Sequence, residues 1–394
     1  MFLARRYCTA PPTSQISLNK LRAIRYQSNM STAATTSASF PTRRSPVEIQ
    51  KLIQQRVDER RSWIKVGPTE PTWEDIRELW KNVPPNPSTE GLDETFPIQR
   101  MDWHRIQSPP KDKIQLTWLG HASLLIQMGG WNILSDPVLS DRCSPSQWFG
   151  PKRFRPPPCH IQELVHHISI DAVLISHNHY DHLDYHTCTA IARQQPQARW
   201  FVPLGLQEWF LRHVSKRLMI YEQDWHESVQ IDGGDVDDSS KSRLVITAVP
   251  MRHWSSRLGL DRDKSLWCGF VINDTTQNKK MLFPGDTSWF DGLETIIGRD
   301  YGPFDVAAIP IGAYEPRNFM KYAHINVPEA VMMKDAVRAK EAVPIHWGTF
   351  PMTTEPILEP RDLLLELMKD RADRHAFVPW LIGETKQFGT TSSN

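Results

Sequence analysis

Nine consecutive residues, Ser176-His177-Asn178-His179-Tyr180-Asp181-His182-Leu183-Asp184, carry three imidazoles and two carboxylates directly after the apolar run Ala172-Val173-Leu174-Ile175. A buried strand therefore ends where a run of metal-ligand side chains begins, which a merely solvated histidine-rich loop would not require. His177 and His179, two apart, can project from one side of an extended loop to one cation. Asp181 and His182, offset from them, can face a second. A loop of this kind constrains the fold, because the other ligands must be delivered to it by later segments.

Later apolar runs end in suitable residues. His253 follows Val245-Ile246-Thr247-Ala248-Val249-Pro250 and supplies a third imidazole to the His177/His179 ion. Asp286 follows Met281-Leu282-Phe283-Pro284-Gly285, and its carboxylate can bridge two ions. His346 follows Val343-Pro344-Ile345 and completes the second ion with Asp181 and His182. Each alone reads as an ordinary polar residue at a strand end; together they support one another.

The pattern predicts strands near 114–119, 123–127, 131–135, 172–175, 200–203, 243–249, 267–272, 280–283, 305–310 and 342–345. Helices are expected near 184–194, 289–298, 327–339 and 361–371. An early meander followed by alternation suits an α/β architecture, an αβ/βα sandwich. Ahead of it, Ile49, Ile53 and Val57 at four-residue steps predict an amphipathic helix, and Thr72 is an N-cap for a second over 73–80. Residues 232–242, rich in Gly, Asp and Ser, read as a surface insertion. Three regions result: a leader over 1–45, an N-terminal helical arm over 46–113 and a catalytic domain over 114–394.

The H-x-H-x-D-H cluster, a later His, Gly285-Asp286-Thr287 and Ile345-His346-Trp347-Gly348 resemble the metallo-β-lactamase superfamily. More specific segments are Trp118-Leu119-Gly120-His121-Ala122, Ser144-Pro145-Ser146-Gln147 with Gly150-Pro151-Lys152-Arg153-Phe154, Ile309-Pro310-Ile311-Gly312-Ala313-Tyr314-Glu315-Pro316-Arg317, and His346-Trp347-Gly348-Thr349-Phe350. These look like the N-acyl-phosphatidylethanolamine-hydrolysing phospholipase D family, and the likeness runs from about Thr117 to about Leu367.

The resemblance implies a four-layer αβ/βα metallo-β-lactamase sandwich and hydrolysis of N-acyl-phosphatidylethanolamine to N-acylethanolamine and phosphatidate. Seven ligands drawn only from His and Asp favour two zinc ions, which lower the pKa of a bound water to about 7. A metal-bridging hydroxide is then expected to attack phosphorus, with Asp286 central to the chemistry. His324 aligns with a family histidine near the metals, where it donates a proton to the leaving group, holds the phosphate or serves as a structural residue. Asp136 is expected to fix the tautomer of a metal-loop histidine; His121 is expected to be structural. Tyr314 and Arg317 are head-group candidates, Arg317 equally a fold-holding ion pair. Lys152, Arg153 and Arg155 are candidates for anionic head groups. Where vertebrate members carry a polar amide, this chain has Ala323. Asp184 reads as a helix cap, and His166 and His167 as surface or packing residues.

The bulk composition limits the partners. With 46 basic and 45 acidic residues among 394, no global field attracts nucleic acid. Five widely spaced cysteines with no C-x-x-C pair argue against a disulfide framework or a thiolate zinc site. No apolar run approaches the roughly 20 residues of a membrane span, so contact with a phospholipid surface is expected to be peripheral; the family resemblance adds a homodimer. Before Glu48 the chain carries Arg5, Arg6, Lys20, Arg22, Arg25, Arg43 and Arg44 and no acid, the composition of a mitochondrial presequence. Competing readings are another binuclear zinc hydrolase, such as a soluble phosphodiesterase, lactonase or thioesterase, and a non-catalytic lipid-binding protein.

Overall fold

Two sheets face one another across a shared core in the computed structural model, which describes residues 44–63, 74, 89–233, 241–257 and 261–389. Nearly all of the basic leader, the helix expected after Thr72 apart from Glu74, and most of the 232–242 insertion lie outside the described residues.

The first sheet contains β1 (Ile114–Gly120), β2 (Ser123–Met128), β3 (Trp131–Ser135), β4 (Ala172–Leu174), β5 (Arg199–Pro203) and β6 (Met219–Gln223). The second contains β7 (Ser228–Ile231), β8 (Leu244–Val249), β9 (Gly269–Asp274), β10 (Lys279–Phe283), β11 (Phe304–Pro310) and β12 (Ala339–Ile345). The last strand, β13 (Thr385–Phe388), returns to pair antiparallel with β1, so the strand orders are β13-β1-β2-β3-β4-β5-β6 and β12-β11-β10-β9-β8-β7. Each sheet has an antiparallel half and a parallel half: β3 to β6 run parallel, as do β10 to β12.

Successive side chains of a strand point to opposite faces, and this builds the layers. Leu124, Ile126 and Met128 of β2 enter the core between the sheets, whereas Leu125 enters a second core with Leu134, Val173 and Val202. That outer core is closed by helices Ile161–His167, Tyr185–Gln194 and Gln207–His213 through Leu164, Ile191 and Phe210. Across the molecule, helix Val327–Ala336 packs on β11 and β12, and helix Glu359–Met368 packs on it in turn. The result is the expected four-layer sandwich.

Helix α1 (Pro46–Ser62) starts at Ser45, whose hydroxyl accepts from the Glu48 N–H, with Pro46 in the first turn where no N–H is needed. Its apolar face buries Ile53 and Val57 in the core between the sheets, so the arm is built into the sandwich. Three strands had too weak a pattern to be anticipated: β6, β7 and β13, each short and carrying polar side chains. The helix expected over 289–298 begins at Leu293 as a π-helical turn, and that over 327–339 ends at Ala336, where β12 follows within three residues.

In a parallel sheet the C-terminal strand ends share one edge, which is where ligand loops gather. The cluster follows β4, Asp136 follows β3, Asp286 lies three residues beyond β10, and His346 directly follows β12.

Candidate metal centre

Three imidazole nitrogens meet at one point. His179 Nδ1 lies 2.8 Å from His177 Nε2 and 3.2 Å from His253 Nε2. A single N–H can satisfy only one of these pairs, whereas tetrahedral zinc ligands stand about 3.3 Å apart. Asp286 Oδ2 is 3.8 Å from His177 Nε2 and 3.6 Å from His253 Nε2, completing a four-donor group. Beside it, His182 Nε2 and His346 Nε2 each stand 3.3 Å from Asp181 Oδ2. Asp286 spans both groups, with Oδ2 3.1 Å from His182 Nε2 and Oδ1 3.1 Å from His346 Nε2.

The opposite ring nitrogens are held from behind. His253 Nδ1 donates to the Ala323 carbonyl at 3.0 Å, and His182 Nδ1 donates to Asp136 Oδ2 at 2.7 Å. Asp136 also accepts from the Ser176 N–H and hydroxyl, and that hydroxyl lies 2.9 Å from His177 Nδ1. A proton fixed on Nδ1 turns the Nε2 lone pair inward, which is how outer contacts orient metal ligands. His121 Nε2 contacts Asp181 Oδ2 at 2.8 Å, and its ring is 4.0 Å from that of His346. It therefore joins the second donor group more closely than a purely structural residue needs to.

Buried polar atoms are normally paired. Here His179 Nε2, His182 Nε2, both nitrogens of His346, His324 Nδ1 and Asp286 Oδ1 are buried and make no hydrogen bond. Of these, His182 Nε2 and His346 Nε2 each lie 3.1 Å from an Asp286 carboxylate oxygen, a concentration that fits a donor set for cations. The backbone is also held against its preference: His121, Asp136 and His346 have φ of 52°, 35° and 62°, the left-handed region that L residues seldom enter and that clusters at functional sites. Gly285, at φ 62°, admits the Asp286 loop close to the cluster, because a Cβ there would lie 2.5 Å from that of Ser176.

Burial works against charge on every member of the group, and the carboxylates decide where charge survives. Burial, reinforced by neighbouring imidazoles, drives His177 and His253 well below the ordinary histidine range and takes His179 and His324 down to about 4. Burial, reinforced by His346, takes His121 to about 3. At His182 and His346 burial is overcome by Asp286 and Asp181; His182 rises well above its usual value and His346 to about 9. Burial opposes ionisation of Asp181 and Asp286 too, yet His182 and its neighbours hold both well below the carboxylate range. The centre is thus built around two ionised carboxylates that demand positive charge.

Above the group lies a cavity of about 420 Å³. His179, Asp181, Asp286, His324 and His346 reach it from the metal centre; Arg60, Arg61, Arg252 and Arg262 line it with positive charge, and Phe319, Met320, Met352 and Trp254 line it with apolar surface. His324 Nδ1 is 3.9 Å from Asp286 Oδ2. The arginines of the lining had no signal in the sequence, since α1 and the segment before His253 meet only in the fold. Ser176 had one, its place at the head of the cluster.

Of the two head-group candidates, Tyr314 is engaged elsewhere and Arg317 takes the ion pair that was its alternative. The Tyr314 hydroxyl donates to Glu359 Oε1 at 2.7 Å, and Arg317 pairs with Glu329 and donates to the His324 carbonyl at 2.7 Å; neither lines the cavity. The three basic candidates differ as well: Arg153 is buried, donating to the Val138 carbonyl over the Phe350 ring, and Arg155 pairs with Asp93, whereas Lys152 is exposed. Asp184 caps the helix at Tyr185, accepting from the His186 N–H, and His167 stacks on Trp103.

Known proteins resemble this chain. The model of the beta-lactamase superfamily domain matches residues 131–347. N-acyl-phosphatidylethanolamine-hydrolyzing phospholipase D 1 of Caenorhabditis elegans is 41% identical over 285 residues, 72% of this chain and 77% of that protein. The Saccharomyces cerevisiae protein named N-acyl-phosphatidylethanolamine-hydrolyzing phospholipase D, mitochondrial, is 32% identical over 250 residues, 63% of this chain and half of its own length. Among solved structures, Igni18, a metallo hydrolase from the archaeon Ignicoccus hospitalis, shares the fold with a TM-score of 0.51 at 22% identity, over 71% of this chain and 100% of that one. With the donor geometry, these matches establish that the chain belongs to the N-acyl-phosphatidylethanolamine-hydrolysing phospholipase D family of the metallo-β-lactamase superfamily, a family of metal-dependent phosphodiester hydrolases.

Proposed function

We propose that the protein hydrolyses N-acyl-phosphatidylethanolamine to N-acylethanolamine and phosphatidate at the His/Asp centre, with two zinc ions as cofactors. The observation that carries this reading is the convergence of His177, His179, His253, Asp181, His182, Asp286 and His346 beside a cavity lined by both arginine and apolar side chains. Two zinc ions held by those donors would lower the pKa of a bound water and offset negative charge on a phosphodiester.

The chain's own residues do the rest. Asp286, central to both donor groups, fixes their spacing. Arg252 donates through Nη1 to the Trp289 carbonyl at 2.8 Å; burial, and then its neighbour Arg60, bring it down to about 10. Like charges held together in this way favour an anion such as a phosphodiester between them. His324, buried beside Asp286 with Nδ1 unpaired, is placed to hydrogen-bond a phosphate oxygen or the departing oxygen. The apolar wall at Phe319, Met320 and Met352 suits acyl chains.

The yeast relative's mitochondrial name and the acid-free basic leader support a mitochondrial location. No described helix is long and apolar enough to cross a membrane, and we read membrane contact as peripheral, with a homodimer as the assembly the family suggests. The test is incubation of the zinc-loaded protein with N-acyl-phosphatidylethanolamine labelled in its N-acyl chain. Release of labelled N-acylethanolamine, lost in Asp286→Asn, supports the reading; cleavage confined to soluble esters overturns it.

A further inference from the structure

Trp148 and Phe149 are 84% and 77% exposed, adjacent in one loop and facing solvent. Resting on the lipid reading above, we propose that the 144–150 loop is a wedge that enters the surface of a phospholipid bilayer and holds the mouth of the metal cavity against it.

The loop is constructed to present these rings. Arg142 donates through its N–H to Gln147 Oε1 at 3.1 Å and receives the Gln147 amide at its carbonyl at 3.0 Å. Its guanidinium donates to the carbonyls of Gln147 and Gly150 at 3.2 and 2.5 Å. The Cys143 N–H donates to the Pro151 carbonyl at 3.2 Å, closing the base. A clamped loop with two outward aromatics keeps apolar surface in water at a free-energy cost, and such a patch marks a contact site.

The foot of the loop leads to the chemistry. Cys143 lines the metal cavity, and its sulfur lies 3.7 Å from that of Met352, which lines the same cavity and is 38% exposed. The loop base thus adjoins the cavity that His346 also lines. The occupant follows from size and charge. One Trp and one Phe offer roughly 400 Å² together, short of the about 800 Å² that each partner of a stable protein interface buries. Two aromatic rings suffice to enter an interfacial lipid layer, where tryptophan is favoured. Exposed Lys152, just beyond the loop, adds attraction to anionic phosphates.

The experiment is co-sedimentation of the full chain with vesicles of phosphatidylcholine containing phosphatidylserine, comparing wild type, Trp148→Ala/Phe149→Ala, and the exchange Trp148→Phe/Phe149→Trp. The double alanine variant is expected to partition about tenfold more weakly with unchanged melting temperature and unchanged cleavage of substrate dispersed in detergent, and the exchange variant to bind as wild type. Equal partition of wild type and the double alanine variant overturns the proposal. So does a lower molecular mass of the double alanine variant in solution, which would make the loop a contact between copies. Failure of the wild type to cleave the detergent-dispersed lipid counts against the hydrolase reading, while sedimentation decides the wedge separately.

Discussion

The Arg60 guanidinium, on α1, donates through Nη1 to the backbone carbonyl of His253 at 2.7 Å and lies 4.9 Å from the centre of the Trp267 ring. An N-terminal helix thereby holds the loop that carries a metal-group histidine. A buried hydrogen bond to a charged group contributes about 1.5 to 3 kcal/mol. Arg60→Ala is expected to lower both zinc content and turnover, with Arg60→Lys recovering part of each. Metal analysis alongside the melting temperature checks this: loss of turnover with full zinc and unchanged His253-site binding would sink it.

Asp136 accepts from His182 Nδ1 and from Ser176, so its carboxylate sets the tautomer on one side and the loop position on the other. Asp136→Asn keeps one acceptor oxygen and turns the other into an NH2 donor, so either Ser176 or His182 loses its acceptor. The affinity of the second ion is expected to fall about 10- to 100-fold, read by competition with a chromogenic chelator.

The two donor groups predict separable metal losses. His253→Ala is expected to remove the ion of the His177/His179 group and His346→Ala the ion of the Asp181/His182 group, leaving about one zinc each against about two in the wild type. Asp286→Asn touches both groups and is expected to deplete both. Plasma emission analysis of dialysed protein measures this, and two retained ions in Asp286→Asn would contradict the shared carboxylate.

Gly285→Ala places a methyl where Ser176 stands and asks an L residue to hold φ near 62°. Either the Asp286 loop or the cluster must retreat. Activity is expected to fall by more than tenfold, because about 1 Å of misplacement at reacting groups costs on the order of 100-fold. Wild-type turnover in Gly285→Ala would show that the close approach is dispensable.

Lys334, on helix Val327–Ala336, is 5% exposed and donates to Asp373 Oδ2 at 2.7 Å. Hydrogen bonds from Arg371 and then from Lys334 hold Asp373 well below the usual carboxylate range. A depressed carboxylate stabilises the fold above its unfolded pKa and loses that contribution as pH falls through the folded value. Stability from this pair is therefore intact above about pH 4 and declines below it. Asp373→Asn is expected to cost about 1 kcal/mol at neutral pH after solvent screening and to lose less as the solution is acidified, which urea denaturation at several pH values would show.

Much of the site was legible because its donors sit in a dense local cluster and at the ends of apolar runs. Asp181 and His182 could be assigned a different ion from His177 and His179 on spacing alone, and the structure places them in a separate donor group. Tyr314 and Arg317 show the limit. Both stand in a segment that resembles the family, but Glu359 and Glu329 come from helices whose approach no local pattern encodes. Strands β6, β7 and β13 were missed for a related reason: polar side chains such as Glu222, Gln230 and Lys386 dilute the apolar alternation, and only pairing with neighbours makes them strands.

The chemistry the chain can support was readable from residue order, since residue types and their position beyond buried strands follow from local covalent order and hydrophobic periodicity. The tertiary structure alone decided which atoms face the centre, that Arg60 and Arg252 from distant segments share one cavity, and that Asp286 touches both groups. Those outcomes depend on packing between segments far apart in the chain, where burial and the geometry of the two sheets set each distance.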